Sequence, residues 1–246
     1  MLNGLDLFSG IGGISLALRD LVHPVAYCEI DPYCQGVLLS RMASGNLYNA
    51  PIWDDVTTLR GDEFKGNIDI IFGGFPCQDI SVAGHGKGLA GERSGLFFEI
   101  MRLAEEIKPT FIFLENSNVI STRGGVEIIQ ALTNIGFDCR WIVKEAREEG
   151  APHIRKRWFC LAYANSKSSI KTDQGTESEQ KERETWLRPS RQNRRDLSET
   201  YWEKNQSPIL GVDDVIPFRV DRAKALGNSV CVEQTREAFK ILMGLK

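Results

Sequence analysis

Cys77 stands between a proline and a glutamine, in the run Gly73-Gly74-Phe75-Pro76-Cys77-Gln78. The apolar residues before it (Ile68, Ile70, Ile71 and Phe72) read as a buried strand that the two glycines end. In open α/β sheets, ligands bind at the carboxyl ends of strands. A thiol presented there by a rigid proline turn is placed to act as a nucleophile. The plainer reading is a buried structural cysteine, because free cysteine is among the most buried residue types. A second candidate follows the same logic. Thr110 to Leu114 is an apolar strand that delivers Glu115-Asn116-Ser117 at its mouth. A carboxyl beside a thiol in a cleft is a candidate acid or electrostatic stabiliser; the alternative is an acid at a helix N-terminus. Arg155 and Arg157 alternate in the stretch from Ala151 to Phe159, which places both on one face of a strand. Two guanidiniums suit a base carbonyl and a phosphate, or they guard an edge strand.

A different chemistry is written near the start. Leu5-Asp6-Leu7-Phe8-Ser9-Gly10-Ile11-Gly12-Gly13 is a strand running into a glycine turn, and Ile14 to Leu21 continues with helical spacing. Glycines let a backbone approach a ligand closely, and the helix start favours a carboxylate or phosphate. The spacing Gly-x-Gly-Gly differs from the dinucleotide pattern, so plain turn geometry is the competing account. The next strand, Pro24 to Cys28, leads to Glu29-Ile30-Asp31, and Glu29 lies 19 residues beyond Gly10. An acid at that spacing suits ribose hydroxyls. Asp54-Asp55 then precede Val56. Acids after successive strands suggest an adenosine-like ligand, although Asp55 also suits a helix cap.

The elements needed to position these groups are those of one α/β domain. The chain has 246 residues, 42% of them hydrophobic, enough for a real core. A net charge of -3 means that any nucleic-acid surface is a local patch. Six scattered cysteines without a CxxC pair point to reduced, intracellular thiols and away from a zinc site. No apolar run approaches a membrane span. Asp79 to Arg93 is rich in glycine and reads as a lid next to the cysteine. After Tyr163 the composition turns polar. Asn165 to Ser207 holds nine Lys or Arg and eight Asp or Glu, too little apolar surface to fold well alone. Arg188, Arg191, Arg194 and Arg195, with Trp186 and Trp202 nearby, suit phosphate contacts or form a solvated linker.

These residues together resemble the DNA cytosine-5 methyltransferases. Asp6 to Gly13, Glu29, Gly74-Phe75-Pro76-Cys77-Gln78 and Glu115-Asn116 carry the resemblance, which covers roughly residues 2 to 163 and 217 to 240. It implies a Rossmann-like fold dependent on S-adenosylmethionine, with a mostly parallel central sheet, helices on both faces and a small polar insert. Residues 1–163 and 213–246 would form the catalytic domain, and 164–212 a short target-recognition region. Phe8, Ser9, Gly10, Gly12, Gly13, Glu29, Ile30, Asp55, Val56, Pro76, Leu96, Asn228 and Ser229 would line the cofactor. Cys77 would add to C6 of a flipped cytosine, Glu115 would hold N3, and Arg157, with Arg155 beside it, would stabilise O2. Gln78, Ser81, Lys87 and the four arginines of the insert would touch DNA. Three positions depart from the family pattern: Ser117 stands where valine is usual, His153 replaces a glutamine before the arginines, and the insert is short. The implied partners are duplex DNA and a cognate restriction endonuclease, for a cytoplasmic monomer of prokaryotic or phage-like type. An RNA cytosine-5 methyltransferase and an inactive binding module remain the alternatives; a cysteine hydrolase lacks a histidine to pair with Cys77.

Overall fold

The run Leu2–Leu7 (β1) pairs in parallel with Val22–Cys28 (β2) on one side and with Ile70–Gly74 (β4) on the other. In this computed structural model, residues 1–76, 95–165 and 219–245 are described. Ile52–Trp53 (β3) extends the sheet beyond β2, and Phe111–Ser117 (β5) lies parallel to β4. Lys156–Ala164 (β7) enters between β5 and Phe137–Glu145 (β6), antiparallel to both. The order is β3-β2-β1-β4-β5-β7-β6, so β7 alone runs against the rest of this seven-stranded sheet. The mostly parallel α/β sheet expected from the sequence is the one observed.

Continuous apolar strands belong in a sheet covered on both faces, and helices supply both covers. On one face, Gly95–Ile107 (α3) presents Ile100, Leu103 and Ile107, and Gly125–Asn134 (α4) presents Ile128 and Leu132, to Leu5, Ile71, Ile112 and Trp158. On the other, Gly13–Ala17 (α1) and Val232–Met243 (α6) pack Ile14, Ala238, Phe239 and Leu242 against Ile70, Phe72, Phe113 and Phe159. Phe239 meets Phe113 edge-on at 5.0 Å. Pro32–Ala43 (α2) and Arg219–Asn228 (α5) meet beside the glycine turn, where Ala225 packs with Ile11 and Cys34. Gly73 is demanded by sheet geometry: a Cβ there would stand 2.1 Å from the Leu7 carbonyl oxygen.

Two boundaries differ from the sequence reading. The first helix stops at Ala17, because Leu18 O accepts from both Leu21 N and Val22 N and so turns the chain straight into β2. The strand holding the arginines begins at Lys156, leaving Arg155 just before it. The glycine-rich stretch from Asp79 to Arg93, and nearly all of the expected insert at 164–212, lie outside the described residues. No described helix is long and apolar enough to cross a membrane.

Candidate active site

The antiparallel insertion of β7 builds one corner of the site. Glu115 at the end of β5 lies opposite Phe159, and Ser117 lies opposite Arg157. Residues diagonal across neighbouring strands share a face, so Arg157 reaches back to Glu115, with Nε 2.8 Å from Oε1. Glu115 is only 7% exposed. Burial pushes its pKa from 4.5 up to about 7, against the opposing pull of Arg157 and Arg155. The ion pair favours the carboxylate and burial favours the acid, so both forms are accessible near neutrality.

The same carboxyl touches the chain that leads to the cysteine. A Cβ on Gly74 would stand 2.7 Å from Glu115 Oε2. Buried Asn116 donates from Nδ2 to Phe75 O at 2.8 Å, and its Oδ1 accepts from Ser117 N at 2.7 Å. Together β4 and β5 fix the backbone up to Pro76, which is exposed. Cys77, Gln78, Ser81, Lys87, Arg188, Arg191, Arg194 and Arg195 lie outside the described residues. Arg155 turns to a different partner: its Nη2 donates to Gly227 O at 3.0 Å and to Ser229 O at 2.5 Å.

A second cluster forms at the mouths of β1, β2 and β3. Phe8, a non-glycine residue, is held left-handed at φ 54°, a conformation that bulky side chains rarely adopt and that is common where a site stores strain. Ser9 ties β1 to β2, donating to Asp6 O and accepting from Cys28 N. Glu29 Oε2 accepts from Gly10 N at 2.6 Å, and Oε1 accepts from Asp31 N at 2.8 Å. This acid therefore shapes the glycine turn, and each oxygen accepts one of these bonds, which leaves it a second lone pair among the described residues. Gly10, at φ 54°, has open space where a Cβ would stand, whereas a Cβ on Gly13 would meet Val230 Cγ2 at 2.9 Å and Ser229 Oγ at 3.4 Å. The turn that ends α5, Gly227 to Ser229, thus lies against the glycine turn. Ile30 is 72% exposed at the mouth of β2, unusual for an isoleucine beside a buried acid. Asp55 Oδ1 accepts from Thr57 N and Oγ1, a local cap, while Val56 next to it is buried. Leu96 and Phe8 border the first core; Asn228 is exposed and Ser229 half-buried.

Some of the positioning residues had no prior signal. Arg41 Nη1 donates to Ile11 O at 2.7 Å inside the glycine turn. Gln234, fully buried in α6, donates from Nε2 to Lys144 O and Arg155 O. Arg102 of α3 grips Glu99 and Glu106 and donates to Val56 O and Leu59 O, both at 3.0 Å; Glu106 also accepts from Gly61 N. The Glu99-Arg102-Glu106 spacing is a signal of helical pairing, but nothing local announces that the guanidinium also crosses to another loop.

A family model described as C-5 cytosine-specific DNA methylase matches residues 2–212. The Type II methyltransferase M.CviJI of Paramecium bursaria Chlorella virus IL3A is 40% identical over 159 residues, covering 64% of this chain and 42% of that protein. M.HhaI of Haemophilus parahaemolyticus, also named a Type II methyltransferase, is 32% identical over 166 residues, covering 65% and 49%. The chain thus spans about half the length of the curated relatives it matches. Among solved structures, Spodoptera frugiperda DNMT2 superposes with a TM-score of 0.56 over 71% of this chain and 54% of that one, at 21% identity, a likeness of fold.

Proposed function

The chain belongs to the C-5 cytosine-specific DNA methylase family, and from that premise we propose that it transfers a methyl group from S-adenosylmethionine to C5 of a cytosine flipped out of duplex DNA. The observation that carries this reading is the buried Glu115, paired with Arg157 and lying against Gly74, three residues before Cys77. We propose further that residues 1–163 and 213–246 form one catalytic domain, that 164–212 reads the target, and that the protein acts as a monomer.

The residues at the strand mouths fit the cofactor. The open side of Gly10 leaves room for a ligand against the backbone, and the Glu29 carboxylate beside it has the chemistry to accept from ribose hydroxyls. Phe8, Ile30 and Leu96 offer apolar surface for an adenine, with Asp55 near its amino group and the buried Val56 backing the wall. Ser9, Gly12, Gly13, Pro76, Asn228 and Ser229 complete the lining. When bound there, S-adenosylmethionine supplies an electrophilic methyl group.

The chain's own residues make cytosine reactive enough to accept it. The Cys77 thiolate adds to C6, and the electron pair displaced from the 5,6 double bond makes C5 nucleophilic. Glu115 gives a proton to N3 as this happens. Arg157 holds Glu115 in place and offers a cation toward O2. After transfer, loss of the C5 proton to a base and expulsion of the Cys77 thiolate restore the ring, and N3 returns its proton to Glu115. Because the ring cannot react inside the helix, flipping costs a few kcal/mol, to be recovered from phosphate and base contacts. We assign those contacts to Gln78, Ser81, Lys87, Arg188, Arg191, Arg194 and Arg195.

The test is covalent trapping. Duplex DNA containing 5-fluorocytosine, with S-adenosylmethionine, should give an adduct whose mass maps to Cys77, because fluorine cannot leave as a proton. Cys77→Ser should bind cofactor as the parent does and give neither adduct nor product. An adduct on RNA alone would overturn the choice of substrate, and undiminished turnover of Cys77→Ser would overturn the mechanism.

A further inference from the structure

Arg155 and Arg157 lie two residues apart, yet they face different partners. Arg157 is paired with Glu115. Arg155 spends Nη2 on two backbone carbonyls, Gly227 O at 3.0 Å and Ser229 O at 2.5 Å, from a part of the chain more than 70 residues away. Its own carbonyl is held in turn: Arg155 O accepts from Gln234 Nε2 at 2.7 Å, and the same amide reaches Lys144 O at 2.8 Å. Gln234 is fully buried. The turn that Arg155 holds has the glycine turn against its other side, since a Cβ on Gly13 would collide with Val230 and touch Ser229. The order in space is therefore Glu115 with Arg157, then Arg155, then the Gly227–Ser229 turn, then Gly13.

We propose that Arg155 is a positioning residue that sets the distance between the glycine turn and the Glu115 edge, with Gln234 as its brace. The inference rests on the methyltransferase reading, in which one edge holds the cytosine and the other the methyl donor. A cation donating to two carbonyls makes stronger hydrogen bonds than a neutral donor, and the two N–H groups of the planar Nη2 diverge at a fixed angle, which suits two acceptors that must keep a fixed spacing. Misplacing reacting groups by about 1 Å costs on the order of 100-fold in rate. Holding this one turn therefore sets the alignment of two substrates that Arg155 itself does not touch.

The experiment separates addition to the base from methyl transfer. Addition of the Cys77 thiolate to C6, uptake of a solvent proton at C5 and loss of the original hydrogen exchange that hydrogen without any cofactor. Arg155→Met should leave this exchange within about threefold of the parent while lowering methyl-transfer kcat on the order of 100-fold and weakening S-adenosylmethionine binding about tenfold. Arg155→Lys, which keeps a cationic donor, should recover part of both losses. In the ligand-free protein, amide hydrogen exchange at Ser229 and Val230 should quicken in Arg155→Met, with Asn116 unchanged. Equal loss of exchange and methyl transfer would make Arg155 a base or phosphate contact and overturn the proposal, as would unchanged cofactor affinity and amide exchange. If the parent protein itself neither exchanges nor methylates cytosine, the proposed function fails. Amide exchange and cofactor binding would then still decide whether Arg155 holds the turn.

Discussion

At the scale of residues, the site depends on how closely Glu115 is packed. Gly74→Ala should fold, because the atom its Cβ meets is a carboxyl oxygen at the end of a side chain, but it should push Glu115 off its place. We expect a loss of methyl transfer on the order of 100-fold with near-parental melting temperature, read by kinetics and calorimetry side by side. Gly73→Ala is the contrast: its Cβ would meet the Leu7 backbone, which cannot move aside, and it should give little folded protein. Glu115 also makes a pH prediction. Its pKa in the folded protein is raised from 4.5 to about 7, so the folded state holds the proton more tightly than the unfolded chain does. That contribution to stability is complete below pH 4.5 and is lost as pH rises to about 7. Denaturant titrations at pH 5 and pH 8 should show this loss in the parent and a smaller one in Glu115→Gln. A loss of the same size in both would show that the burial cost at this position is not electrostatic.

At the scale of elements, the most consequential piece is the Arg102 network. One guanidinium binds α3 internally through Glu99 and Glu106 and ties it to the loop after Asp55 through two carbonyls. Arg102→Met would leave those carbonyls and carboxylates to water or to nothing, at a cost of about 1–3 kcal/mol. If the loop forms the adenine wall, S-adenosylmethionine affinity should fall about tenfold as well, which 1.4 kcal/mol would produce. A titration showing lost stability with unchanged affinity would separate α3 from the cofactor. Elements of this kind were only partly legible beforehand. Strands β1, β4 and β5 were readable because each is an apolar run stopped by glycine or acid. Glu115 and Arg157 were readable as candidates, but their contact depends on β7 running antiparallel to β5. No local pattern encodes that direction. The late start of β7 escaped for the same reason, since Arg155 O is held by Gln234 from a distant part of the chain, whereas α1 ends on local bonds to Leu18 O that apolar spacing does not reveal.

At the scale of the whole molecule, the last helix closes the second core. Phe239 is buried against Phe113, and Arg236 and Gln234 join α6 to α1 and to the strands of the far edge. Phe239→Ala should cost about 3–5 kcal/mol, seen as a drop in melting temperature, with methyl transfer by the surviving folded fraction near normal. A variant as stable as the parent would mean that α6 rests on the sheet without supporting it. The position of α6 in the chain has a consequence for synthesis. The strands it covers are complete once β7 has left the ribosome, but α6 ends about 80 residues later. At ~5–20 residues per second, the wait is roughly 4–16 s for every copy made. Through those seconds Phe113, Phe159 and Leu161 lack the cover of α6, so a newborn chain passes through a sticky stage. Slower growth temperatures and abundant chaperones should therefore raise the yield of soluble protein more than any change at the active site.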